Sequence, residues 1–308
     1  MMTRFGLRVP ARPGAVRASL SLTLAAGLFL GGARALDARQ AIERRVYVSV
    51  LDEKDVPVPG LTPADFVVRE DGVAREVLRV SRATDPMQIA VLVDDTQVAT
   101  RAIFDERKGV EDFVKALHQG NDIALMTFGD RPEVLVDYTP SLPILMKGIG
   151  RLFARPNSGS YLLQALMDVT KGLQARKATR PVIVALVIEG QEFSNDHYQT
   201  VIDALQESGA QFHALIRPVN AVAEAMTDEI RNRTFVLSDG TLTTGGRRQY
   251  LLANSAFPAA LASLAEELKD QYLLVYARPQ SLIPPERVEV SVRRPGLTVR
   301  APTRTGGR

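Results

Sequence analysis

Residues 87–98 read MQIAVLVDDTQV, and this stretch decides how the rest of the chain is interpreted. Its apolar residues 89–93 run without alternation into three polar residues, Asp94, Asp95 and Thr96. An unbroken aliphatic run of this length is typical of a strand that is covered on both faces in a parallel sheet. Open α/β sheets bind ligands at the carboxyl ends of their strands, so we expect these polar residues to lie at a binding edge.

The chain that follows alternates between strand patterns and helix patterns. Apolar runs predict strands at residues 122–128, 133–138, 181–188, 211–216 and 271–276. Apolar stripes with helical spacing predict helices at residues 104–118, 142–153, 161–173, 197–208 and 257–269. Residues 219–246 are less regular and predict a loop with a short helix near 221–232. Strands separated by helices indicate an α/β fold, with a doubly wound, mostly parallel sheet and helices on both faces.

Both ends of the chain instead show the period-two alternation of half-buried strands. These strands are predicted at residues 45–51, 65–70, 76–81, 287–292 and 297–300. Two or three strands alone are marginally stable in water, so we expect the two ends to pair in one small antiparallel β module. The predicted module comprises residues 44–82 and 285–302, and the α/β domain comprises residues 86–278.

The composition excludes several classes of function. The chain has 308 residues, and residues 1–35 contain five arginines and no acidic residue. Without that segment, 33 basic side chains face 35 acidic ones, a net charge of −2, which gives no electrostatic reason to expect nucleic acid or an anionic membrane surface as a partner. The chain has no cysteine, which excludes disulfides, thiolate catalysis and cysteine-bound metals.

Residues 1–35 have the three parts of a secretory signal peptide. An arginine-bearing start precedes an apolar run at 18–32 and the small-residue pattern Ala33, Arg34, Ala35. We predict cleavage after Ala35, a secreted or periplasmic protein, and no stable membrane insertion after cleavage. The alternative is an uncleaved anchor, but the apolar core is shorter than the roughly 20 residues that a spanning helix needs.

Five segments in order resemble those of von Willebrand factor A-like domain proteins, in particular an exported bacterial subfamily with a small β module. The segments are GLTPADFVVREDG at 60–72, IAVLVDDT at 89–96, TTGGRRQ at 243–249, EELKDQYLLVY at 266–276 and RRPGLTVRA at 293–301. The resemblance covers about residues 44–302 and implies a doubly wound α/β sandwich.

The resemblance also implies a metal site. Such domains bind a divalent metal, usually Mg²⁺, at an Asp-x-Ser-x-Ser loop that is completed by a Thr and an Asp from later loops. The corresponding residues here are Asp94, Thr96, Val98, Ser160 and Glu189. Val98 offers a methyl where Mg²⁺ requires oxygen, and Glu189 is longer than Asp by a methylene. The implied metal site, made of Asp94, Thr96, Ser160 and Glu189, is therefore degenerate, with no cofactor or only weakly held Mg²⁺, Mn²⁺ or Ca²⁺.

The residues by themselves also allow Asp94 and Asp95 to serve only as acceptors for loop amides. Catalytic patterns are weak. No two of His118, His197 and His213 have the spacing of a zinc helix, and Ser158-Gly159-Ser160 lacks the pattern of a nucleophile elbow.

We therefore predict a non-catalytic module that binds a protein partner through its carboxyl-edge loops, 94–100, 157–161 and 189–194. The residues expected to contact the partner, in addition to those of the metal site, are Asp95, Gln97, Ser158, Gly159, Gly190 and Gln191. The sequence allows two alternative functions: an extracytoplasmic hydrolase with an unrecognised site, and a structural envelope component that pairs through its strand edges.

Overall fold

The structure, a computed structural model, describes residues 41–219, 227–280, 283 and 285–304. The predicted signal peptide and residues 221–226 of the predicted short helix lie outside the described residues. Within these ranges, none of the helices has the length and hydropathy needed to cross a membrane.

Strands and helices have the following bounds. The strands are β1 (Ala41–Leu51), β2 (Phe66–Glu70), β3 (Val73–Arg75), β4 (Val77–Arg82), β5 (Met87–Val93), β6 (Asp122–Thr127), β7 (Glu133–Thr139), β8 (Arg180–Ile188), β9 (Gln211–Arg217), β10 (Arg248–Tyr250), β11 (Tyr272–Pro279), β12 (Val288–Val292) and β13 (Thr298–Arg300). The α-helices are α1 (Ile103–Leu117), α2 (Leu142–Ile149), α3 (Leu162–Ala175), α4 (Tyr198–Ser208), α5 (Asp228–Phe235), α6 (Thr241–Thr243) and α7 (Phe257–Lys269).

A six-stranded sheet with the order β10-β9-β8-β5-β6-β7 forms the centre of the α/β part. Its strands are parallel except for β7, which pairs antiparallel with β6. On β5, Ile89 and Val91 face the core formed with α1, α2 and α7, whereas Ala90 and Leu92 face the core formed with α3 and α4. Because both faces are buried, the strand needs apolar side chains at consecutive positions. This arrangement confirms the predicted doubly wound fold.

Two antiparallel sheets lie beside the α/β part. One has the order β13-β1-β11-β4, and the other has the order β12-β2-β3. Strands from the two ends of the chain pair directly: β12 lies against β2 and β13 against β1. Their inward side chains form a third hydrophobic core that includes Val48, Phe66, Leu274 and Tyr276. The antiparallel β module built from both ends of the chain is therefore confirmed as part of the fold.

Strand β11 joins the β module and not the central sheet. It pairs with β1 along Ala41–Val48 and with β4 on its other side. The sequence predicted a strand here but placed it within the α/β domain 86–278, because an apolar run carries no information about which sheet it joins. The domain boundaries themselves remain a prediction.

The segment after β9 is more ordered than the sequence indicated. Helix α5 continues through a π-helical turn, Val236–Gly240, into α6, where a loop was expected. Strand β10 then pairs in parallel with β9. It begins at Arg248, the last residue of the Gly-rich stretch 241–248. A three-residue edge strand is too short to produce a detectable periodicity, which explains why the sequence did not reveal it.

Buried polar side chains join the two parts at the amino ends of β8 and β9. The Arg180 guanidinium donates to the Leu268 carbonyl at 2.6 Å and to Gln271 Oε1 at 2.8 Å. Gln271 Nε2 in turn donates to Gln211 Oε1 at 2.7 Å and to Ser49 Oγ at 3.0 Å. Burial lowers the pKa of Arg180 to about 10. These bonds satisfy groups that would otherwise be costly to bury, and they fix β11 against the central sheet.

Candidate functional site

Asp94 is fully buried at the carboxyl end of β5, and its carboxylate is occupied by donors from the protein. Oδ1 accepts from the Thr96 amide at 2.9 Å and from Thr96 Oγ1 at 2.6 Å, and Oδ2 accepts from the Ile188 amide at 3.0 Å. Burial raises the pKa of Asp94 to about 6, although these hydrogen bonds act in the opposite direction. The side chain thus connects the end of β5 to the end of the neighbouring β8.

Asp95 is also buried, and it forms an ion pair with Arg155 from the loop before α3. Arg155 Nε donates to Asp95 Oδ2 at 2.6 Å, and its Nη2 donates to Glu133 Oε2 at 2.5 Å. The other Asp95 oxygen accepts from the Gly129 amide at 2.7 Å. A Cβ at Gly129 would lie 2.6 Å from Asp95 Oδ1, so this position requires glycine. One guanidinium therefore holds together the loops that follow β5 and β6 and the loop that precedes α3.

Ser160 bonds to Glu192, a residue that the sequence analysis did not single out. Ser160 Oγ donates to Glu192 Oε2 at 2.7 Å, and the Ser194 amide donates to Glu192 Oε1 at 3.2 Å. Glu192 is buried, which raises its pKa, while the bonds from Ser194 and Ser160 partly offset the effect. Glu189 is only half-buried, and within the described residues its carboxylate accepts no hydrogen bond. The sequence carried no signal that distinguishes Glu192 from Glu189.

The other predicted partner-binding residues lie on the same edge and are linked through backbone contacts. Gln97 Oε1 accepts from the Asn157 amide at 2.9 Å, and Ser158 Oγ donates to the Arg155 carbonyl at 2.8 Å. The Gln191 carbonyl accepts from the Ser160 amide at 3.0 Å, and the Gly159 carbonyl accepts from the Asp130 amide at 2.8 Å.

Val98 covers the neighbouring loop with an apolar surface. A Cβ added at Gly190 would lie 3.1 Å from Val98 Cγ2, so the Val98 side chain packs closely against the Gly190 backbone. Glycine at position 190 allows the loop after β8 to pass directly beneath this side chain.

Glu106 is a fourth buried carboxyl group at this edge, and the sequence analysis missed it. It lies in the first turn of α1 and is fully buried, and both of its oxygens lack a hydrogen-bond partner among the described residues. Burial raises its pKa well above the usual value, and the charges of Asp94, Asp95 and Asp105 raise it further. A carboxyl group in this environment is most stable in its protonated, neutral form.

As arranged, the residues do not present the free, converging oxygens that Mg²⁺ takes in octahedral geometry. Asp94 accepts from three donors, the Ser160 hydroxyl is directed at Glu192, and Val98 supplies no oxygen. Among the described residues, no three His, Cys, Asp or Glu side chains are placed to hold a metal ion.

Five large apolar side chains are exposed on the carboxyl-edge loops and at the start of α1, and we call this set the apolar rim. It consists of Val98, Phe104, Phe153, Phe193 and Leu252, of which Phe104 is 76% and Leu252 is 92% exposed. Contacts join some of the segments that carry it: the guanidinium of Arg107, three residues after Phe104 on α1, lies 5.0 Å from the centre of the Phe153 ring, and Asn254 Nδ2, two residues after Leu252, donates to the Arg101 carbonyl at 3.0 Å. Clustered exposed apolar side chains mark interaction sites more often than isolated ones do.

Comparisons with solved structures find several proteins with low sequence identity to this chain. One is a von Willebrand factor type A protein from Catenulispora acidiphila, with 11% identity and a TM-score of 0.48 over 87% of this chain and 75% of that one. Another is a mutant of the PilB minor pilin from Streptococcus sanguinis, with 10% identity and a TM-score of 0.46 over 61% of this chain and 62% of that one.

A third is proximal thread matrix protein 1 from the mussel byssus, described with a zinc-occupied MIDAS motif. It has 12% identity and a TM-score of 0.48, over 65% of this chain and 49% of that one. A search of curated protein sequences gives no match.

The family comparison is more specific. Residues 89–191 match the family model described as the von Willebrand factor type A domain. The matched range begins within β5 and ends in the loop after β8, so it contains Asp94, Ser160 and Glu189. Residues 89–191 are therefore similar to a von Willebrand factor type A domain.

Proposed function

We propose that the chain is an exported, non-catalytic module that binds a protein partner on the carboxyl edge of its central sheet without a bridging metal ion. The observation that carries the proposal is the apolar rim around a set of buried, internally paired carboxyl groups. A partner that covers the rim removes apolar surface from water, which favours association in proportion to the area buried.

The occupied oxygens of Asp94 and the hydrogen-bonded hydroxyl of Ser160 favour contact without metal. A bridging cation needs open coordination positions, whereas the Asp94 oxygens accept from backbone and hydroxyl donors of the same protein. Asp95 is already neutralised by Arg155. The cation that organises these loops is thus a guanidinium that belongs to the chain.

The arrangement around Ser160 supports a non-catalytic role. An activated serine needs a base that can accept its proton and a third group that orients the base. Here the hydroxyl donates to Glu192, and no histidine among the described residues bonds to either of them. His213 is fully buried elsewhere, in β9, and burial lowers its pKa to about 3, so it stays neutral at physiological pH.

Export is proposed from the sequence of residues 1–35. The arginine-bearing start, the apolar run and the Ala33-Arg34-Ala35 pattern support a cleaved signal peptide. The lack of cysteine is compatible with an oxidising compartment because no thiol is exposed to oxidation.

Photo-crosslinking tests the proposed partner surface. A photoreactive phenylalanine analogue placed at Phe104, Phe153 or Phe193 should give one common protein adduct in producing cells, since these positions would face the same partner. The same analogue at Val73, which is exposed on β3 in the β module, is the matched control and should give no such adduct. With the isolated partner, Phe104→Ser should weaken binding about tenfold or more, the equivalent of one lost apolar side chain. Equal adducts at Val73, or none at the rim, would contradict the proposal.

Titration calorimetry tests the absence of metal. We expect no binding heat for Mg²⁺, Mn²⁺ or Ca²⁺ at micromolar to millimolar concentration, and no change in Tm when EDTA is added, because the Asp94 oxygens are occupied. Asp94→Ala should behave identically toward metal. Heat in the wild type that Asp94→Ala abolishes would establish a metal site and refute this part of the proposal.

Replacement of Arg155 tests its role as the organising cation. Arg155→Met leaves the buried Asp95 without its ion pair and should lower the free energy of unfolding by about 2–4 kcal/mol, somewhat less than a fully buried pair because Arg155 is partly exposed. Amide hydrogen exchange should accelerate in residues 94–97 and 127–133, but not in α4. Arg151→Met is the matched control: Arg151 is more exposed and lies 4.0 Å from Glu133, so its loss should cost less than about 1 kcal/mol. Equal effects of the two substitutions would argue against the assignment.

Replacement of Glu106 tests the neutral carboxyl group. The pKa of Glu106 is higher in the folded state than in the unfolded state, so the native state binds the proton more tightly. The contribution of Glu106 to the free energy of unfolding is therefore greatest below about pH 4.5 and is lost as the pH rises through the folded pKa. Glu106→Gln removes this dependence and should increase the free energy of unfolding at pH 7.5 by roughly 1–3 kcal/mol, with little change at pH 4.5. Urea unfolding at both pH values measures the difference, and Glu111→Gln on the same helix is the control. A difference that is the same at both pH values would contradict the prediction.

A further inference from the structure

Strand β1 has an unpaired stretch of edge at the opposite end of the molecule from Asp94. One side of β1 pairs with β11 along Ala41–Val48. The other side pairs with β13 only along Ser49–Leu51. The edge at residues 43–47 therefore has no neighbouring strand among the described residues.

The backbone groups on this edge can be identified from a side-chain contact. The Tyr47 carbonyl accepts from Gln211 Nε2 at 3.3 Å, so it points away from β11. Alternate residues of a strand direct their N–H and C=O groups to the same side, so the groups of Glu43 and Arg45 point the same way. Within the described part of the chain, none of these four backbone groups has a hydrogen-bond partner.

A cavity of about 360 Å³ borders this edge, and we call it the β1 cavity. It is lined by residues 43–47 of β1, by Ala178, Thr179 and Pro181 before and at the start of β8, by residues 206–211 at and after the end of α4, and by Thr243, Thr244, Pro302 and Arg304. This volume is within the range of natural ligand sites. The cavity therefore combines a concave, partly open volume with a row of unpaired donors and acceptors.

We propose that the β1 cavity is a second binding site, which takes an extended segment of a partner polypeptide that adds to β1 as a further strand. The unpaired N–H and C=O groups of Glu43 and Arg45 recur every second residue. Only an extended backbone presents matching acceptors and donors at that spacing. Pairing of an open strand edge with another chain is a frequent mode of peptide recognition.

The charges of the cavity indicate an acidic segment. Three arginines and two glutamates line it: Arg44, Arg45, Arg304, Glu43 and Glu207. Glu43 is already paired with Arg79, and Arg45 with Asp85. Arg304 donates only to neutral acceptors, Gln206 Oε1 at 3.2 Å and the Glu286 carbonyl at 3.3 Å. A carboxylate on the bound segment would give its guanidinium a charged partner.

A proline substitution at position 45 tests whether a bound segment pairs with the β1 backbone. A proline at position 45 removes the outward N–H but leaves the ladder between β1 and β11 intact, since Arg45 does not direct its amide toward β11. Peptides of about eight residues, selected from a phage-displayed library on the full chain, are the probe. We expect the selected peptides to be acidic, to slow hydrogen exchange at the Arg45 amide about tenfold or more, and to bind Arg45→Pro about tenfold more weakly than Arg45→Ala.

A second variant guards against a folding defect in Arg45→Pro. Thr179 is exposed at the cavity wall, so Thr179→Trp should fill the cavity without altering β1 and should also abolish peptide binding. Gln174→Trp, exposed on α3 outside the cavity, is the matched control and should bind normally. Hydrogen exchange in β11 reports whether each variant is folded.

Three results would overturn the proposal. The first is the absence of any selected peptide that protects the Arg45 amide, and the second is equal binding to Arg45→Pro and Arg45→Ala. The third is an Arg45 amide already protected in the free protein, either because residues of the same chain occupy the edge or because a second copy does, which light scattering would distinguish. None of these measurements involves the carboxyl edge, so they are independent of the proposed function.

Discussion

The carboxyl edge of this molecule is shaped by one constraint: carboxyl groups buried at the end of an inner strand must be compensated. Three of these acids meet the requirement in different ways. Asp94 accepts hydrogen bonds from Thr96 and Ile188, Asp95 pairs with Arg155, and Glu106, which has no partner, has a raised pKa that favours its protonated form. Isolated charges in a low-dielectric interior are too costly to persist, so donors, a countercharge or a proton must be present.

The same constraint determines the loop structure. Because Asp94 receives the Ile188 amide and Asp95 receives the Gly129 amide, the ends of β5, β6 and β8 are held at fixed separations. Arg155 adds the loop before α3 to this set. The apolar rim is carried by loops anchored in this way, which keeps exposed side chains such as Val98 and Phe153 in place for a partner. Preorganised contact surfaces lose less conformational entropy on binding.

The sequence was sufficient to predict the elements that packing dictates. The runs at 89–93 and 181–188 are apolar because both faces of β5 and β8 are buried, and the helical stripes follow from burial on one face. It could not place β11, because strand pairing depends on the tertiary partners, and it gave no sign of β10. It singled out Glu189 but gave no sign that Glu192 turns inward to accept from Ser160, since a loop conformation decides which of two nearby acids is buried. Glu106 did leave a signal: it lies four residues before Val110 on the buried face of α1, where an apolar residue is the usual choice.

The two ends of the central sheet differ in the kind of contact they can offer. At the carboxyl edge the described backbone groups and carboxylates are largely satisfied internally, so what remains for a partner is apolar side-chain surface. At the amino end, by contrast, the β1 cavity offers unpaired backbone groups and a net positive charge. Apolar surface gives affinity with little directional preference, whereas a strand edge fixes the direction and register of what binds. A protein that uses both ends could hold one partner firmly while orienting a second, and the buried bonds of Arg180 and Gln271 supply the rigid connection that such an arrangement needs.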